Sequence, residues 1–139
     1  DGMVAAAFAD GLADVALVAA DRVTMDGHVV NKVGTLGVAL AAREFGVPFY
    51  ALVQAPDPLA PRLSDVVIEH RDGDEVLHVL GTRTAAEGTT GYYPAFDATP
   101  PHLVTRIVTE RGVYQPDQVA RHFAETAEPT QTNDSQEPA

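Results

Sequence analysis

The chain has 139 residues, with 20 acidic against nine basic side chains, a formal net charge of −11, 45% hydrophobic content, and neither Trp nor Cys. That length suits one domain with a sizeable core, and the lack of cysteine excludes a disulfide framework and any thiolate metal site. The acidity argues against a general affinity for nucleic acid, and no apolar run nears the roughly twenty residues of a membrane span, so a cytoplasmic protein is expected.

The first residues already carry a helical pattern, and a helix over 3–12 is expected, with Met3, Phe8 and Leu12 packing on a sheet. Val15-Ala16-Leu17-Val18-Ala19-Ala20 is a short, wholly apolar run that stops at Asp21. Such a run reads as a strand buried on both faces, as in parallel sheets flanked by helices. Ligands of open α/β sheets sit at the carboxyl ends of the strands. Asp21 is therefore a carboxylate delivered to a functional edge. Met25-Asp26-Gly27-His28 reads as a turn, and after it comes Asn31-Lys32, the latter the only lysine in the chain. A bland reading, with Asp21 capping a turn and Lys32 solvated, stands beside the functional one at about even odds.

A helix from about Thr35 to Phe45 is ended by Gly46 as its C′ residue, and Val47–Val53 is the next strand. Strand, loop, helix and strand in that order make a βαβ unit with a parallel, right-handed crossover. The fold class is α/β. Three prolines make 55–61 a loop at the end of the second strand, a plain connector or a rim to the site. Ser64–Glu69 reads as a short strand, and the charges of 69–76 as a solvated, locally paired surface. Thr99 as N-cap and Pro100 at N1 open a helix over Pro100–Glu110, with Gly112 ending it. Asp97 reads as a turn or capping residue, or as a group that orients another across the site. A last helix runs from Gln115-Pro116 to about Glu125, docked by Val119, Ala120 and Phe123. One domain over 1–125 and a polar, disordered tail over 126–139 follow. His28, His70, His78, His102 and His122 show no ligand spacing, so no metal site is expected.

Two blocks are also familiar as sequences. The stretch V-A-A-D-R-V-T-M-D-G-H-V-V-N-K-V-G-T, from Val18 to Thr35 and on to Tyr50, resembles a core block of the initiation-factor-2B-like isomerase family. Pro94-Ala95-Phe96-Asp97-Ala98-Thr99-Pro100 resembles the second signature of that family. Two long blocks in the right order are far more specific than a lone glycine motif, and the resemblance covers roughly Asp1 to Tyr114. The family contains methylthioribose-1-phosphate isomerase, ribose-1,5-bisphosphate isomerase and regulatory subunits of translation initiation factor 2B.

The resemblance implies a Rossmann-like parallel sheet flanked by helices, forming the C-terminal half of a longer polypeptide. It implies aldose–ketose isomerisation of a sugar phosphate without metal or organic cofactor, most like methylthioribose-1-phosphate isomerase of methionine salvage. Asp21 matches the family's catalytic acid/base position, and Asn31 and Lys32 match its substrate-contacting pair. A dry strand suits that acid, because a desolvated carboxyl holds a proton closer to neutrality. The family's catalytic cysteine and an arginine-containing phosphate site lie in its N-terminal portion, so this chain alone is expected to be inactive. Pairing with that half, or as a homodimer, is the implied assembly.

Two alternatives stay open. Ribose-1,5-bisphosphate isomerase is disfavoured by Gln54, where that branch has a lysine. A non-enzymatic regulatory subunit is disfavoured by the retention of Asp21 together with Asn31-Lys32. The segment Arg83–Gly88 leans softly towards the methylthioribose branch. Tyr93 stands where the family usually has Asn, which bears on substrate preference.

Overall fold

A computed structural model describes residues 2–124, so the expected tail over 126–139 lies outside the described residues. In chain order the elements are α1 (Val4–Ala9), β1 (Ala16–Ala19), β2 (Arg22–Val23), β3 (Val29–Lys32), α2 (Thr35–Glu44) and β4 (Phe49–Leu52). There follow β5 (His78–Val79), β6 (Thr82–Arg83), β7 (Phe96–Thr99), β8 (Arg106–Thr109), β9 (Gly112–Tyr114) and α3 (Val119–Ala124). One sheet has the order β1-β4-β8-β9, in which β1, β4 and β8 are parallel and β9 returns antiparallel. A second, antiparallel sheet is β2-β3-β7, and β5-β6 is a separate small ribbon. The class is α/β with a mixed sheet.

The expected βαβ unit is present: β1 pairs with β4 in parallel, and α2 lies between them in sequence. Alternation in each strand sends Ala16, Val18, Phe49, Ala51 and Ile107 to one face. That face meets Ala39 and Ala42 of α2, and these residues form the core with Val23, Val29 and Val119. Small alanines let the helix lie close, and Gly46, at φ +69°, ends it as the sequence indicates. α1 packs against α2 through Phe8, while Met3 and Leu12 stay exposed, so the helix is shorter and less anchored than expected.

Three expectations are corrected. β1 is not buried on both faces. It is an edge strand, and its outward residue Leu17 is 63% exposed, as is Leu52 beside it at 42%. An apolar run records that water is avoided, but the number of covered faces is set by other elements, and α2 covers one. Residues 64–69 form no strand: a 3₁₀ turn at Leu63–Asp65 leads into extended chain tied to the second signature by Arg71 N–H to Tyr93 O and Ala95 N–H to Glu69 O.

The expected helix over 100–110 is instead a 3₁₀ turn, Pro101–Leu103, followed by β8. Thr105, Ile107, Val108 and Thr109 are β-branched, and such residues favour a strand packed on both sides by neighbours. β8 sits between β4 and β9. Its central place overrides the start signal at Thr99-Pro100. Thr99 belongs to β7 and caps nothing; its fully buried hydroxyl has no partner among the described residues.

The expected turn over 25–28 joins β2 to β3 as a hairpin, a strand pair that the sequence reading did not separate from the site. Gly27, at φ +85°, makes its tip close against the core, because a Cβ there would lie 2.5 Å from the Pro116 carbonyl oxygen. The last helix starts later than expected but docks as indicated, with Val119 buried and Phe123 half-buried.

Candidate active site

Asp21 follows the carboxyl end of β1, where the chain leaves one sheet and enters the other. The β2–β3 ladder ends with Arg22 paired to Val30, and Asp21 and Asn31 are the next residues along the two chains. Asn31 in turn pairs with Asp97 of β7, and Lys32 with Phe96. The two sequence blocks are thereby joined strand to strand. What the sequence shows as separate signatures is one short stretch of sheet beside the end of β1.

Each side chain there has a definite partner or none. Lys32 Nζ stands 4.7 Å from the centroid of the Phe96 ring, an exposed cation over an aromatic face. Asn31 Nδ2 donates to Thr35 Oγ1 at 3.1 Å, and that hydroxyl donates to Lys32 O at 2.7 Å. Alternation along β3 sends Asn31 and Lys32 to opposite faces of the ladder, so a ligand touching both must reach round the strand's end. Asp21 is exposed and has no hydrogen bond or ion pair among the described residues. The dry setting expected for it is therefore not provided by the described residues.

Asp97 does work that the sequence left open. α2 begins at Gly34, which has no side chain with which to cap it. Asp97 supplies the cap from 63 residues away: its Oδ2 accepts from Gly34 N–H at 2.7 Å and its Oδ1 from Leu36 N–H at 3.1 Å. A carboxylate at a helix N-terminus answers both the unpaired amides and the positive end of the dipole. Those two amides are thus spoken for and are not open to a ligand's phosphate.

The loop over 55–61 is held against the same edge. Arg22 Nε and Asp57 Oδ2 are 3.1 Å apart, Thr24 bridges to Asp57, and Met25 N–H donates to Ala60 O. It is a rim tied down by the hairpin, and neither Arg22 nor Asp57 was singled out from sequence, since only the fold brings them together. At the hairpin tip, burial works to raise the Asp26 carboxyl. Hydrogen bonds from Thr24 Oγ1 and His28 Nδ1, with the charge of that imidazole, win and hold it below the usual carboxylate range. No group of three or more metal-ligating side chains gathers among the described residues.

Residues 1–116 match the Initiation factor 2 subunit family. The chain belongs to that family. Among curated relatives, it is 51% identical over 108 residues to a methylthioribose-1-phosphate isomerase of Maridesulfovibrio salexigens, covering 76% of this chain and 31% of that protein. It is 45% identical over 130 residues to one of Heliobacterium modesticaldum, covering 91% of this chain and 38% of that protein. Its backbone matches the crystal structure of 5-methylthioribose 1-phosphate isomerase from Pyrococcus horikoshii OT3 with a TM-score of 0.80 at 36% identity, over 89% of this chain and 35% of that one. It also matches translation initiation factor eIF-2B subunit delta from A. fulgidus, with a TM-score of 0.74 at 36% identity, over 84% of this chain and 34% of that one. The chain thus spans about a third of the length of these family members.

Proposed function

We propose that this chain carries the acid/base edge of a sugar-phosphate aldose–ketose isomerase whose substrate is S-methyl-5-thioribose 1-phosphate. The observation that carries the reading is Asp21, an exposed carboxylate with no partner among the described residues. It lies at the ligand-binding end of a parallel strand, directly before Arg22, which pairs with Val30, the neighbour of Asn31. Relatives named for that isomerase share 42–51% of their aligned residues with it. In this reading Asp21 moves protons as hydrogen passes from C2 to C1 of the sugar. Asn31 bonds its hydroxyls, and Lys32 offers a point charge to the phosphate. The Asp97 cap fixes the start of α2 at Gly34, two residues after Lys32, which orients the backbone that follows that lysine.

No cysteine is available in the chain, so the second catalytic group and the water-excluding wall come from elsewhere in the working enzyme. A cytoplasmic setting, and assembly with a second chain or with the rest of a longer polypeptide, belong to the same proposal. The test is turnover by the natural polypeptide that carries this segment, assayed separately with S-methyl-5-thioribose 1-phosphate and ribose 1,5-bisphosphate. Ketose product from the first alone is expected. Product from the second alone would move the chain to the bisphosphate branch despite Gln54. Turnover of neither would favour a regulatory role, the reading that the likeness to eIF-2B subunit delta supports.

A further inference from the structure

At the other end of the parallel sheet lies a cleft of about 740 Å³. Its walls come from the end of α2, the chain just before β4, the turn and first residue of β8, and the segment after β9. These are the amino ends of β4 and β8, whereas Asp21 follows the carboxyl end of β1. Strands of this length set the two places at least about 10 Å apart.

Three groups capable of positive charge line the cleft: Arg43, His102 and Arg106. The Arg106 guanidinium gives one bond to Thr105 O at 2.7 Å, and its other N–H groups have no partner among the described residues. Neither Arg43 nor Arg106 is in an ion pair there, although Arg22, Arg71 and Arg83 are. In a chain with 20 acidic residues, two guanidiniums left without carboxylates in one hollow are a marked local reversal of charge. Among the described residues, Asp117 is the single acid on the wall. The rest of the lining is largely apolar and includes Pro48, Pro101 and Pro116. The volume is that of small-molecule sites, which pair an apolar lining with a few placed polar groups.

We infer that this cleft is a second ligand site, for a phosphate monoester with an apolar or ring-shaped body. Guanidinium forks match phosphate oxygens in pairs, and two of them balance a dianion, with the His102 imidazole as a further hydrogen-bonding group. The apolar part of the lining takes the ester's body. The site is separate from the edge around Asp21 and does not depend on the isomerase reading.

Calorimetric titration of the purified protein with phenyl phosphate at low ionic strength tests it. Saturable binding is expected, weakened about tenfold by Arg43→Gln and by Arg106→Gln, the loss usual for a charge-assisted hydrogen bond. Lys32→Gln should leave it unchanged. Arg43 is exposed, so its variant keeps the test sound should Arg106→Gln unfold the start of β8. No saturable binding, or equal binding by the wild type and the Arg43→Gln variant, would overturn the site. Binding lost in Lys32→Gln instead would place the phosphate at the Asp21 edge and refute the cleft while sparing the proposed function. Equal affinity for inorganic phosphate would refute the organic ester.

Discussion

On the proposed reading, Asp21→Asn is expected to lower isomerase turnover by about a thousandfold in the natural polypeptide carrying this segment, while thermal stability and substrate binding stay close to wild type. The amide keeps the size and one hydrogen-bond acceptor of the carboxylate but neither takes nor gives the proton, and positioned acid–base groups contribute about 10² to 10⁴ in rate. Stability is untouched because Asp21 is exposed and holds no partner among the described residues, and such surface positions shift stability by only about 0.5 kcal/mol. The informative pattern is the split: kcat falls while KM and the melting temperature stay. A variant that retained near wild-type turnover would remove Asp21 from the chemistry. One that lost stability together with activity would show a structural carboxylate instead.

The second large effect concerns the scaffold. Phe49→Ala is expected to cost about 3–5 kcal/mol, the range for emptying a buried aromatic site. Phe49 is 1% exposed and opens β4, the strand flanked by β1 and β8. Its amide donates to Thr105 Oγ1 at 2.9 Å, and its carbonyl accepts from Thr105 N–H at 2.8 Å. The ring therefore packs where two strands are pinned together, and the cavity has little freedom to collapse. Leu17→Ala, one strand over on the outward face, should cost about 0.5 kcal/mol or less, since its side chain has little contact to lose. Urea unfolding of both variants of the 139-residue chain measures the contrast. A Leu17→Ala cost approaching that of Phe49→Ala would mean that the outward face of the sheet is covered in solution.

The sequence was most legible where one local signal sufficed. The apolar run ending at Asp21, the alanine-rich stretch closed by Gly46, and the run Val47–Val53 specify β1, α2 and β4 to within two residues at each end. It was least legible where the outcome is set by what a segment meets. Residues 100–110 carry both a helix start and a β-branched run, and only the vacancy beside β4 decides between them. Leu17 has the side chain of a core residue, yet nothing among the described residues lies over it. Asp97 looks like a local capping residue and is one, but for a helix 61 to 63 residues earlier, a pairing no local pattern encodes.

The candidate site divides the same way. Asp21, Asn31 and Lys32 stood out through their strand-end position, the lone lysine and the family blocks. Their spatial union with Phe96 and Asp97 needed the β3–β7 ladder, and the Arg22–Asp57 tie needed the loop to fold back on the hairpin. The exposure of Asp21 has a physical reading within this picture. On the proposed reading Asp21 acts in a dry site, yet it is exposed here, in a chain that spans about a third of its relatives. That reading then draws the desolvation from surfaces beyond the described residues.

Amide-resolved NMR of the natural polypeptide, titrated with S-methyl-5-thioribose 1-phosphate in the Asp21→Asn background to prevent turnover, bears most directly on where the substrate sits. The largest shifts should fall on the backbone amides of residue 21, Asn31 and Lys32. Shifts confined to the cleft around Arg43 and Arg106, or no shifts along β3 at saturation, would contradict the placement of the chemistry at the end of β1.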